Sequence, residues 1–116
     1  MDNRRTIGAR GEWLALDYLE RFGYQLEAKN CRVGRGEIDL VVIKERLLAF
    51  IEVKTCSHAA DYRRVEDKVS WYQQQKIKET AYRYLDNTSW EGSIRFDVIL
   101  VNLAIPEEIL HFPGYF

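Results

Sequence analysis

Two acids and a lysine stand where strands rather than loops are expected: Asp39 in "GEIDLVVIK", and Glu52 and Lys54 in "LLAFIEVKT". The apolar and β-branched residues around them alternate, which predicts a hairpin of Glu37–Lys44 and Leu47–Thr55. A tight loop at Glu45-Arg46 and a four-residue loop from Lys44 to Leu47 give the same register. In that register Asp39 faces Glu52 and Glu37 faces Lys54, and opposed residues share one face of the sheet. The four-residue loop is the one expected, because Glu-Arg makes a poor type I′ pair. Two carboxylates across a ladder repel, so something positive must offset them. Lys54 does part of this. Two hard oxygen donors at that spacing also make half of a Mg²⁺ or Mn²⁺ site. The competing reading is a structural salt-bridge cluster. The apolar strands around the acids weigh against it, since buried charges recur around metals.

The elements that would position these groups read as follows. From Thr6 to Phe22 the residues Ile7, Leu14, Ala15, Tyr18, Leu19 and Phe22 recur at helical spacing, and Gly23 follows as a stop. Gly8 and Gly11 sit in the first turns, where each costs roughly 1 kcal/mol relative to alanine. They suit the close approach of another backbone or of a ligand. Glu12 lies at the edge of the buried stripe, able to reach solvent or a site beside the sheet. Tyr24, Leu26 and Ala28 alternate with polar neighbours as a half-exposed strand, and Gly34 and Gly36 mark a turn before the hairpin. Val65, Val69, Tyr72, Ile77, Ala81 and Leu85 predict a second long helix. "IRFDVILVNL" reads as a buried strand. "EEILHFPGYF" reads as an edge strand closed by Pro113. The order helix, three strands, helix, two strands makes an α/β domain with a mixed sheet and helices packed on it.

Composition narrows the classes. A chain of 116 residues with 47% hydrophobic and 30% charged residues is one domain, 1–116, globular rather than disordered. No apolar run approaches the roughly 18 residues that cross a bilayer, so no membrane partner is expected. "MDNRRTIGAR" has no apolar segment behind its arginines, which points to the cytoplasm. Cys31 and Cys56 have no metal or redox spacing and read as free thiols. A net charge of −1 and a pI near 6.1 argue against coating nucleic acid non-specifically. They leave room for a local basic rim, to which residues such as Arg10, Arg35 and Lys76 would contribute.

Asp39 followed by Glu52-Val53-Lys54, one acid in the second strand and E-x-K in the third, resembles the PD-(D/E)XK nuclease superfamily. Restriction endonucleases and Holliday-junction resolvases are among its members. Across "GARGEWLALDYLERFGY", "NCRVGRGEIDLVVI", "LLAFIEVKT" and "RFDVILV" the chain is similar to the YraN-type family of bacterial proteins. The resemblance implies a restriction-endonuclease-like three-layer α/β fold, with a central mixed sheet of about five strands flanked by helices. It further implies that Asp39 and Glu52 ligate Mg²⁺ or Mn²⁺, with the main chain of Val53 completing the sphere. Lys54 would orient water or stabilise developing charge, and Glu12 would be the additional acid on the first helix. The implied activity is metal-dependent DNA endonuclease, with branched DNA as the substrate and a homodimer as the acting form. The alternative is a nucleic-acid-binding or assembly module that keeps the fold without turning over.

Other residues have blander readings. Asp97 is expected to be hydrogen-bonded or paired with Arg95. His58 reads as a surface loop residue, and His111 has no metal-ligand partner at useful spacing. Of Trp13, Trp71 and Trp90, at least one is expected to pack in the core. If the second helix borders the cleft, Gln73 and Lys76, at i and i+3 on one face, are the candidates for phosphate contact. No nucleophile triad or phosphate-binding glycine loop is present.

Overall fold

Five strands lie side by side in chain order. A computed structural model, describing residues 4–57, 64–104 and 106–116, places β1 (Gln25–Val33), β2 (Gly36–Lys44), β3 (Leu47–Cys56), β4 (Ser93–Asn102) and β5 (Glu108–Phe112) in one sheet. Neighbours run antiparallel except β3 and β4, which are parallel. A parallel neighbour needs a crossover, and α2 (Trp71–Asp86) lies in it. On one face, α1 (Arg4–Arg21) lays Ala15, Leu16 and Leu19 against Leu40, Val42, Ala49, Ile51 and Ile99. On the other, Ile77 and Ala81 of α2 meet Ile38, Val41, Leu48, Phe50 and Phe96. Helix, mixed sheet and helix make the expected three-layer, restriction-endonuclease-like α/β fold. Phe50, fully buried and stacked on Phe96 at 5.5 Å, is among the largest side chains in this core. Burial of such a side chain contributes ~1.5–3 kcal/mol.

Local chemistry explains the ends of the elements. Gly23 stands at φ +93°, Tyr24 N donates to Leu19 O, and Gly23 N donates to Glu20 O, which together form a Schellman stop for α1. That stop corrects one residue of the apolar stripe. Phe22 falls past the last turn and is 58% exposed, its ring against Tyr18, while Leu16 takes the core position.

Two further expectations change. The second helix does not begin at Val65. A 3-10 turn over Val65–Asp67 comes first, and Ser70, extended at φ −70° and ψ 159°, caps α2 by accepting from Gln73 N. Val65 and Val69 therefore pack apart from α2, with Val98 and Leu100, and Tyr72 faces solvent. The β2–β3 loop has two residues, not four, since Lys44 still pairs with Leu47. Glu45 adopts φ +56°, a strain of ~1–2 kcal/mol. The turn is held from outside, where Arg46 O accepts from Ser93 N at 2.8 Å.

Candidate active site

The sheet forks where the two acids stand. From the turn, the β2–β3 ladder follows the expected register through five pairs and ends at Leu40↔Ile51. Before Leu40, β2 stays paired with β1, at Cys31↔Ile38, Arg32↔Glu37 and Val33↔Gly36. Beyond Ile51, β3 stays paired with β4, from Glu52↔Val98 to Cys56↔Asn102. Glu37 is thus not opposite Lys54; the Arg32 guanidinium lies 3.6 Å from it instead. In the fork, Asp39 Oδ2 accepts from Val53 N at 2.8 Å, so a side chain replaces the missing ladder bond. A residue's N–H and C=O leave a strand on the same side, which turns the Val53 carbonyl toward the Asp39 edge as well. Alternation also slips here. Ile38 and Leu40, two residues apart, go to opposite faces of the sheet.

Three acids meet at this fork. Glu52 is only 12% exposed, and the Lys54 ammonium stands 3.9 Å from its Oε1. Burial, the Asp39 charge and a hydrogen bond shared with Asp39 push the Glu52 carboxyl up to about 9; Lys54 opposes the shift and Glu12 adds to it. Glu12, from α1, is also raised, by burial and then by Asp39, against the pull of Lys29 and Asn30. Lys54 and Lys29 together do not neutralise three carboxylates. A carboxyl in such company holds its proton unless another cation joins it.

Packing of α1 brings Glu12 here. A Cβ at Gly11 would run into the Thr55 side chain, so glycine lets α1 settle directly on the end of β3. The close neighbour is a side chain, not the backbone or ligand that the glycines suggested. A Cβ at Gly8 would meet nothing within 4 Å. Gly8 lines a cavity of about 350 Å³ together with Glu12, Val53, Lys54, Thr55 and Ser57. Two residues that the sequence did not mark complete the site. Lys29 Nζ lies 3.6 Å from Glu12 Oε1 and 4.8 Å from the Trp13 ring centre, and Asn30, at φ +51°, hydrogen-bonds Glu12. Lys29 carried only the alternation of β1. The positive φ of Asn30 had no strong signal beyond the tolerance of asparagine for it.

The basic candidates lie elsewhere. Arg10, exposed on α1, pairs with Glu107 at 3.4 Å. Arg35, in the β1–β2 turn, and Lys76, on α2, line a separate cavity on the α2 face. Gln73 is half-buried in the first turn of α2. His58 lies outside the described residues. Neither Cys31 nor Cys56 is in a disulfide. Trp90 packs against the α2-side core and donates to Ser93 O, whereas Trp13 and Trp71 are exposed.

Asp97 is fully buried and held from three directions. Arg95 grips it with Nε and Nη2, both at 2.8 Å, His111 Nε2 is at 2.8 Å, and Gly114 N donates at 2.9 Å. Arg95 also donates to Tyr24 Oη, and His111 Nδ1 lies 3.4 Å from Tyr18 Oη. Burial would raise the Asp97 carboxyl, but these hydrogen bonds and the Arg95 charge outweigh it and hold it below its ordinary range. Asp97 therefore ties β5 and the C-terminal turn to the sheet, as the pairing with Arg95 suggested.

No helix among the described residues is long and apolar enough to cross a membrane. A family model described as uncharacterised protein family UPF0102 matches residues 11–101, a span that encloses Glu12, Asp39, Glu52 and Lys54. A UPF0102 protein of Cytophaga hutchinsonii is 42% identical over 94 residues, covering 81% of this chain and 82% of that one. One of Thermodesulfovibrio yellowstonii is 38% identical over 106 residues, covering 85% and 88%. One of Caldanaerobacter subterraneus subsp. tengcongensis is 34% identical over 108 residues, covering 92% and 87%.

Proposed function

The chain belongs to the uncharacterised protein family UPF0102, the YraN family, and from the fork in its sheet we propose a Mg²⁺- or Mn²⁺-dependent DNA endonuclease. The observation that carries this reading is the pair of adjoining carboxylates, Asp39 and Glu52, short of positive charge, with Lys54 beside them.

The donor set fits a hard divalent ion. Among the described residues no three His, Cys, Asp or Glu side chains group to hold a metal. Mg²⁺ takes one or two carboxylates and keeps water and substrate phosphate as its other ligands, so two carboxylates are enough for it. Asp39, Glu52 and the Val53 carbonyl would hold it. When bound, such an ion supplies Lewis-acid charge and lowers the pKa of water. The chain's own residues do the rest. The Val53 N–H fixes the Asp39 carboxylate, and Glu52 would have to lose its proton to serve as a ligand. Lys54 Nζ stands 3.9 Å from Glu52, where it offsets charge developing on a phosphodiester. Lys29 holds Glu12 at the rim as the additional acid.

Branched DNA is the substrate class in this reading, and a homodimer would set two sites on a two-fold junction. Two cysteines outside any disulfide suit action in the cytoplasm. The test is a cleavage panel of duplex, single-stranded, flapped and four-way DNA with Mg²⁺, Mn²⁺ or EDTA, run beside calorimetric metal titration of wild type and Asp39→Asn. The reading expects metal-dependent cutting and metal binding that Asp39→Asn loses. Equal metal binding by both proteins, with no cutting, would overturn it. Binding of DNA without cutting would favour the non-catalytic module, a reading supported by the separation of Arg35 and Lys76 from the carboxylates.

A further inference from the structure

A second cavity, of about 370 Å³, opens on the α2 face between the β1–β2 turn and α2. Glycine brings its walls together. A Cβ at Gly36 would collide with Thr80, and Gly34, at φ +61°, lies against the Arg83 guanidinium. The rim carries three cations, Arg35, Lys76 and Arg83, against one acid, Glu79. Glu79 is engaged by Arg83, with Oε1 3.3 Å from Nη2. Among the described residues, Arg35 and Lys76 have no carboxylate within ion-pair distance. One turn before Lys76, Tyr72 is 67% exposed, with its ring centre 5.6 Å from the Lys76 Nζ. Tyr72, Lys76, Glu79 and Arg83 recur at helical spacing and so share one face of α2.

We propose that this cavity seats a backbone phosphate of single-stranded nucleic acid, with an adjoining base stacked on Tyr72. The proposal rests on the nucleic-acid reading above and gives it a substrate class, a strand that leaves the duplex. Guanidinium and ammonium groups without acidic partners suit a phosphate. An exposed ring accepts any base, because every base has a π-face. A duplex keeps its bases stacked within itself and offers Tyr72 nothing, so only an unpaired strand engages both features. Gly36 precedes Asp39 by three residues of β2, ~10 Å of strand. The cavity thus lies at the same end of β2 as the carboxylates, on the other face of the sheet.

The test needs no metal. Fluorescence polarisation in EDTA, with salt varied, follows a labelled oligothymidylate and a hairpin duplex of equal length. Wild type is expected to prefer the single strand. Arg35→Ala and Lys76→Ala each lower its affinity severalfold and flatten the log–log salt slope by about 0.7, the value for one phosphate contact on a single strand. Tyr72→Ala lowers single-strand affinity about tenfold and leaves the salt slope unchanged. Arg46→Ala, at the far end of β2, controls for the loss of one positive charge. The proposal is overturned if wild type does not bind the single strand, if it binds the duplex equally well, or if the cavity variants match wild type or Arg46→Ala. Calorimetric metal titration of the same variants keeps the two readings apart: cavity variants that bind metal like wild type yet lose the strand support this proposal. Loss of metal binding in wild type would sink the nuclease reading alone.

Discussion

Glu52→Gln isolates the strain of the carboxylate pair. In the folded protein the Glu52 carboxyl is pushed up to about 9, whereas its ordinary value is 4.5. Between those values the folded state holds a proton that the unfolded chain has released, so stability falls as pH rises. The slope is ~1.4 kcal/mol per pH unit, which gives on the order of 4 kcal/mol between pH 5 and pH 8. Glutamine keeps the shape of the protonated acid and an N–H to offer Asp39, and it cannot ionise. The variant should therefore match wild type near pH 5 and exceed it increasingly toward pH 8. At roughly 4 °C per kcal/mol for a domain of this size, the gap in melting temperature at pH 8 exceeds 10 °C. Thermal melts by circular dichroism in EDTA at unit pH steps read it directly. Added Mn²⁺ should then raise the wild-type melting temperature more at pH 8 than at pH 6, because the ligand must lose its proton, and should do little for the variant. Parallel pH profiles for the two proteins, or a flat wild-type profile from pH 5 to 8, would refute the reasoning.

Four other substitutions probe the supports of the site. Gly11→Ala should cost ~1–3 kcal/mol in urea denaturation because its Cβ meets Thr55, whereas Gly8→Ala should stabilise by ~0.5–1 kcal/mol because its Cβ meets nothing; equal effects would contradict the packing. Lys54→Ala should destabilise the metal-free protein by only about 1 kcal/mol, given the partial exposure of the lysine, yet abolish cleavage while calorimetry still detects metal binding. Asp97→Asn leaves Arg95 without its counter-charge and His111 without its carboxylate partner and should cost ~3–5 kcal/mol, with faster proteolysis of β5 and unchanged metal titration. Because Asp97 is held below its ordinary range, its contribution is complete above the unfolded value and is lost on acidification through the folded one, so the variant should also lose that acid limb.

What alternation and spacing carry, the chain shows plainly. The apolar period of Leu40, Val42, Ala49 and Ile51 sets both the hairpin register and the face that takes α1. A pattern of twos cannot report where two strands stop being neighbours, so the fork at Asp39 was invisible and Glu37 was placed opposite Lys54. The split of the second helix was hidden for a related reason. Val65 and Val69 keep helical spacing with Ile77, and only the capping geometry of Ser70 separates them. The carboxylates could be read because acids in apolar strands are rare. Lys29 and Asn30 could not, since their part in the site depends on how α1 crosses β1.

The fork and the charge cluster are one arrangement. Had the β2–β3 ladder continued past Leu40, the Val53 N–H would bond to a backbone carbonyl and the Asp39 carboxylate would have no backbone donor there. Opening the ladder hands that donor to Asp39 and leaves Asp39 beside Glu52, while Gly11 admits α1 closely enough to bring Glu12 to the same place. Each step lowers the stability of the metal-free protein: a ladder is cut short, a glycine sits in a helix, and three acids share a half-buried pocket with Lys54 and Lys29. The buried layers on either side, centred on Phe50 and Ile51, supply the stability that tolerates it. A structural salt bridge would call for none of these concessions, since two oppositely charged residues on an unbroken ladder satisfy each other. Three acids gathered at an interrupted one fit the proposed reading, in which a divalent cation held by Asp39 and Glu52 would complete the charge balance.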